Sequence, residues 1–266
     1  MSNILQKICE DKSKELEETK KRCSFKTLEK LISSKLEKRE FKDQLISAQK
    51  NKKNLIIGEV KKQSPSAGEI ISDYKPENIA ILYERSGVGA LSILTESKYF
   101  LGNIDHLSLV KKKTNLPILR KDFIIDKYQI LESKIYQADC RLLILSILSD
   151  AQAIEFINYA NELKLDCIIE VHDEDELKRA IKLDYPVIGI NNRNLKSLEI
   201  NLNNSINLNK NLINDYILIA ESGIKTSDDI KKFNSTGIYN FLIGESLLKS
   251  KDKEKKIGEL LLNESY

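Results

Sequence analysis

Glu59 and Lys61 stand two residues apart at the end of the apolar run Leu55–Val60, so in an extended chain they share one face. A carboxylate and an ammonium side by side suit proton transfer, because each alters how tightly the other holds its proton. Lys121 follows the run Leu116–Leu119 and Arg120, and Glu170 sits within Cys167–Val171. Any one of these residues alone reads as a solvated loop charge. Four of them at the ends of apolar runs point to one desolvated acid–base site. Other run ends carry different chemistry. Asn191 and Arg193 follow Val187–Ile190, and Glu221, Ser222 and Gly223 follow Ile217–Ala220. Gly244 and Glu245 follow Phe241–Ile243. Small residues before a helix start let backbone N–H groups approach an anion, so Ser222, Gly223, Gly244 and Glu245 are expected to bind a phosphate.

The elements that must position these residues recur along the chain. Eight apolar runs, the others being Ala90–Thr95 and Leu142–Leu148, follow one another at steps of roughly 20 to 36 residues. Such steps accommodate a strand, a helix and two loops, the unit of a parallel sheet. Helices are expected at Pro76–Ser86, Asp126–Ala138, Asp150–Leu163, Asp173–Leu183 and Thr226–Phe233, with a weaker one after Asn203. Thr226 and Asp229 have the spacing of a capping box. Eight such units predict an α/β fold, a (β/α)8 TIM barrel, whose active residues gather at the C-terminal ends of the strands. An open doubly wound sheet also alternates strand and helix, but its G-x-G-x-x-G turn is missing. Residues 1–48 read as an extra helical N-terminal extension, with Ile4, Ile8, Leu16, Leu28, Leu31, Ile32 and Leu36 at helical spacing. Residues 49–266 make the barrel, and the two form a single domain.

Composition excludes several classes. Among 266 residues, 43 Lys and Arg against 40 Asp and Glu leave +3, spread along the chain, with no electrostatic reason to bind nucleic acid or an anionic membrane. No apolar run is long enough to span a bilayer, and residues 1–20 do not resemble a secretory signal, so a cytoplasmic protein is expected. Cys9, Cys23, Cys140 and Cys167 show no metal-ligand spacing. With His106 and His172 as the only histidines, a His-dependent metal site or a Ser-His-Asp triad is hard to build. No apolar stripe stands outside the barrel pattern, so a monomer is the default.

Seven ordered motifs spell a family. They are Glu59-Val60-Lys61-Lys62-Gln63-Ser64-Pro65-Ser66, Ser92–Glu96 with Phe100 and Gly102, Leu119-Arg120-Lys121-Asp122-Phe123-Ile124, Glu170-Val171-His172-Asp173, Gly189–Leu195, Glu221-Ser222-Gly223-Ile224 and Phe241–Leu247. Together they resemble indole-3-glycerol phosphate synthase, and the N-terminal extension resembles that family's extra segment. The resemblance implies closure of an indole ring on a phosphorylated substrate, with loss of CO2 and water. It implies Lys121 as general acid, with Glu170, Lys61 and Glu59 as candidates for the dehydration, and Asn191 and Ser222 in support. It further implies substrate contacts from Ser64, Arg193 and Glu221, with Phe100 and Phe123 as apolar walls. No metal or organic cofactor is implied, and His172 is read as structural.

Two competing readings fit less well. A phosphoribosylanthranilate isomerase is expected to use a Cys and an Asp at strand ends, where this chain has Glu and Lys. A silent scaffold that only binds a phosphorylated ligand has no need of two lysines and two carboxylates at these positions.

Overall fold

A computed structural model describes residues 4–32, 38–195, 197–210, 212 and 216–262. Eight parallel strands close into a barrel in chain order. They are β1 (Leu55–Val60), β2 (Ala90–Leu94), β3 (Ile118–Lys121), β4 (Cys140–Ile144), β5 (Asp166–Val171), β6 (Val187–Asn191), β7 (Ile217–Glu221) and β8 (Asn240–Ile243). Closure is made by β1 on β8, with Leu55 opposite Asn240 and Gly58 opposite Ile243. Each strand is covered on both faces, which is why its sequence is a nearly unbroken run of Ile, Leu and Val.

The helices between strands begin where the sequence offers caps. Asp126, Ser149 and Thr226 each form a capping box, the last with Asp229. The stretch after Asn203 is a helix too, Asn203–Asn209.

Two strands are displaced from their apolar runs. β3 starts after Pro117, which lacks an N–H for the ladder, and continues through Arg120 to Lys121. Arg120 tolerates this place because its guanidinium reaches Asp122 (3.1 Å), the Gln129 carbonyl (2.8 Å) and Glu132 (3.3 Å) in a buried polar cluster. β4 begins two residues earlier than its run and takes in the buried Arg141, while Leu145–Ile147 form a 3-10 turn. That turn is apolar because Leu145 packs into the core, so composition did not mark where the strand ended.

The extension caps the barrel at both ends. Helix α1 (Ile4–Arg22) lies across the C-terminal end and α3 (Phe41–Lys50) against the starts of β7 and β8, with the short α2 (Phe25–Glu29) between them. Phe41 and Leu45 are buried in the barrel core, and Asn240 Nδ2 donates to the Leu45 carbonyl at 3.4 Å. α1 is held by Lys12 to Asp122 (3.3 Å), Lys20 to Asp126 (2.7 Å) and the Tyr99 hydroxyl to Asp11 (2.6 Å). Leu31 and Ile32 are exposed rather than packed, since α2 ends at Glu29 before reaching them. Leu36 lies outside the described residues.

Asp139 ties the lower end together. Its carboxylate accepts from Lys111 Nζ (2.5 and 2.6 Å), the Ile118 N–H (2.8 Å) and the Arg39 N–H (2.7 Å). Replacing it leaves the Lys111 ammonium buried without a counter-charge. Asp139→Ala is therefore expected to cost about 3–5 kcal/mol in urea unfolding, and a loss below about 1 kcal/mol would contradict this role.

Candidate active site

A cavity of about 690 Å³ opens at the C-terminal ends of the strands. Every residue singled out above for catalysis, substrate or phosphate lines it. Glu59 comes from β1, Lys121 from β3, Glu170 from β5, Asn191 from β6 and Glu221 from β7; the rest come from the segments that follow.

Lys121 is the centre of the charged set. Its Nζ donates to Glu170 Oε2 at 2.7 Å and to Glu221 Oε2 at 2.9 Å, with only 14% of the side chain exposed. Burial alone would lower its pKa, but the carboxylates of Glu170, Glu221 and Glu59 outweigh that and hold it raised. Lys61 pairs with Glu59 on the adjacent wall. Asn191 Nδ2 donates to Glu170 Oε1 at 3.1 Å, and its Oδ1 accepts from the Arg193 N–H at 3.0 Å.

The two carboxylates on Lys121 are unequal. For Glu170, burial favours the neutral acid, yet Lys121 and His172 prevail and hold it well below the usual carboxylate range. Glu221 is pushed up to about 7 by burial, and the nearby Glu170 and Glu59 add to this against Lys121. Its Oε1 is buried without a hydrogen-bond partner. One lysine thus faces a firmly ionised carboxylate and one poised to hold a proton near neutrality.

Two glycines make room for this set. A Cβ on Gly189 would stand 2.3 Å from Glu221 Oε1, and one on Gly244 2.3 Å from Glu59 Oε2. Gly189 opens the motif Gly189–Leu195, and a glycine inside Val187–Asn191 is the usual mark of a close approach to a strand.

Other motif residues support the walls. Glu96 does not touch the charged set; its carboxylate accepts from the Tyr99 (2.7 Å) and Phe100 (3.0 Å) N–H groups and so places the Phe100 ring. Phe100 and Phe123 meet with centroids 6.2 Å apart. Ser222 (φ 67°) and Gly223 (φ 83°) both adopt the left-handed region after β7, a conformation concentrated at binding sites. Gly244 is the N-cap of the short helix Glu245–Leu248, and the Glu245 carboxylate turns to Lys249 at 2.6 Å. Only the Glu245 backbone is therefore suited to an anion. His172, read as structural, lies against Glu170.

Several lining residues were missed. Ile4, Leu5 and Ile8 reach the cavity from α1, and Leu195, Leu198 and Ile200 from the loop after β6. Their only sequence signal is apolarity, which core residues share. Lys249 and Lys256 line the same cavity from the C-terminal helical segment.

Comparison with known proteins is consistent with this geometry. A structure titled KGPDC from Streptococcus mutans superposes with TM-score 0.59 at 9% identity, over 77% of this chain and 94% of that one, a likeness of fold alone. A Legionella pneumophila (strain Paris) protein named indole-3-glycerol phosphate synthase is 43% identical over 261 residues, 98% of this chain and 99% of its own length. A protein of that name from Delftia acidovorans is 39% identical over 265 residues, with the same coverage. Residues 5–260 match the family profile of that enzyme. This chain belongs to the indole-3-glycerol phosphate synthase family.

Proposed function

We propose that the cavity closes the indole ring of 1-(2-carboxyphenylamino)-1-deoxyribulose 5-phosphate, releasing CO2 and water, with Lys121 as general acid and Glu170 as base. Membership of the family makes the chain a carboxy-lyase of tryptophan biosynthesis. The observation that supports these roles best is the Lys121 ammonium shared between Glu170 and Glu221 on an otherwise apolar floor of Leu142, Ile144 and Leu242.

The chemistry asks for such a group. The ring carbon that bears the carboxylate attacks the side-chain ketone, and negative charge develops on the ketone oxygen. An ammonium held by anions is a proton source positioned for that oxygen. Loss of CO2 returns its bonding electrons to the ring and restores aromaticity. The new hydroxyl then leaves as water after a second proton, for which Lys61 beside Glu59 is the candidate. A base removes a proton from the neighbouring carbon, the role given to Glu170. Glu221, able to hold a proton near neutrality, is placed to bind substrate and to share protons with Lys121. Asn191 keeps Glu170 oriented through its 3.1 Å bond.

The two ends of the substrate select the two ends of the cavity. Phe100, Phe123 and the α1 residues Ile4, Leu5 and Ile8 form an apolar wall for the anthranilate ring. Backbone N–H groups at Ser222–Gly223 and Gly244–Glu245, together with Arg193 and Lys249, suit the phosphate. Ser64, buried in a short antiparallel pair with Gly68 after β1, is suited to contact the substrate chain. No described helix is long and apolar enough to cross a membrane. A monomer acting in the cytoplasm completes the proposal.

Formation of indoleglycerol phosphate from synthetic substrate, followed by fluorescence, tests the reading, and absence of product at micromolar enzyme would sink it. Lys121→Met is expected to lower kcat at least ~10²-fold while the protein still folds and binds substrate; near wild-type turnover would refute the assignment. Gly189→Ala is expected to displace the Glu221 carboxylate and lower kcat/KM by ~10-fold or more, with the fold kept by circular dichroism. Ser222→Ala and Gly223→Val should mainly raise KM, and unchanged values for both would remove the phosphate site.

A further inference from the structure

His172 follows Glu170 by two residues on the same strand end, and its ring stands between two carboxylates. Nε2 lies 3.1 Å from Glu170 Oε1, and Nδ1 lies 3.0 Å from Glu176 Oε2. Glu176 is itself fixed, accepting from the His172 N–H at 2.8 Å and from the Ser146 hydroxyl at 2.5 Å. Asn204 Nδ2 holds the His172 carbonyl at 3.0 Å. Nε2 is buried and makes no aligned hydrogen bond, so its contact with Glu170 is an ion pair. Nδ1 faces the Glu176 carboxylate and Nε2 stands within ion-pair distance of Glu170, so both carboxylates favour a positive ring. The imidazolium places its charge against both.

We infer that His172 is a positioning residue: locked as an imidazolium by Glu176, it keeps Glu170 ionised and aimed once Lys121 has given up its proton. The inference rests on the reading of Glu170 as the base. In the free protein Glu170 is held by Lys121, Asn191 and His172. When Lys121 protonates the ketone oxygen it becomes a neutral amine, and its stabilisation of Glu170 disappears. Asn191 carries no charge. Among the described residues, His172 is then the positive group left in contact with the base, at the moment when that base has to be unprotonated.

The surroundings favour the charged ring. Glu170 faces it from β5, Glu176 from the helix Glu174–Lys182 and the Ser146 hydroxyl from the turn Leu145–Ile147. Lys121, with Glu221 and Glu59 beyond it, lies on the far side of Glu170. Arg179 is committed to Asp150 and to the Leu145 and Leu148 carbonyls. Burial opposes protonation of His172, but Glu170 and Glu176 raise its pKa to about 9.

The pH dependence of kcat in His172→Gln tests this, since Gln keeps a hydrogen-bonding group but not the charge. Removing positive charge beside a carboxylate raises its pKa, so the acid limb should move to higher pH by about one unit, with KM changed less than about twofold. Nitrogen-15 NMR of the wild-type protein should show His172 titrating near 9, far above the 6.5 of an ordinary imidazole, and it decides the matter even if the variants fold poorly. A titration at or below 6.5, or an unmoved acid limb in His172→Gln, overturns the inference. Glu170→Gln separates the two readings. If that variant turns over normally, the base assignment has failed; if it is inactive while His172→Gln keeps the wild-type profile, only the role of His172 has.

Discussion

A lysine ammonium almost removed from water can persist only if anions surround it, and Lys121 imposes that condition on the rest of the molecule. Glu170 and Glu221 meet it directly, and Glu59 contributes through its field. Each carboxylate creates a further need. Glu170 is satisfied by Asn191 and flanked by His172, Glu59 is paired with Lys61, and Glu221 retains one oxygen without a partner. The strands supplying these residues can converge only in a closed barrel. An open sheet would spread β1, β3, β5 and β7 along a line and leave the ammonium without part of its shell.

The same requirement extends outward through β3. Lys121 points into the cavity, and its neighbours Arg120 and Asp122 form a buried cluster with Lys12, Thr95 and Glu132. Lys12 belongs to α1, whose first turns carry Ile4, Leu5 and Ile8 to the cavity wall. One short strand thus joins the Lys121 cluster to the helix that covers it. The Lys12 ammonium and the Arg120 guanidinium sit on Asp122 against the cost of burial and hold its carboxylate below the usual range. A break in this outer cluster would loosen the apolar wall while leaving the carboxylates around Lys121 in place.

Legibility followed the physics of each signal. The strands were readable because buried parallel strands need unbroken apolar runs, and Glu59, Lys121 and Glu170 were readable because a charge within such a run is costly without a purpose. Arg120 and Arg141 obscured the limits of β3 and β4 for the same reason: each is buried beneath the helices, where sequence alone would place solvent. Glu96, a carboxylate within one of the family motifs, shapes the Phe100 loop instead of joining the charged set. Ile4, Leu5 and Ile8 could not be told from ordinary packing residues. Leu31 and Ile32 kept helical spacing in sequence but lie beyond the end of α2 and are exposed.

Residue type and order by themselves determined the eightfold alternation, the family motifs and the presence of a lysine–glutamate site, since these depend on local periodicity and on the rarity of charge in apolar runs. Tertiary structure decided which charges share a proton. It set Glu221 and Glu170 on one ammonium with opposite tendencies, laid Gly189 and Gly244 beneath carboxylates, and brought His172 against Glu170. These outcomes depend on distances of a few ångströms between strands far apart in the chain, and pKa values respond to that separation and to burial rather than to sequence neighbours.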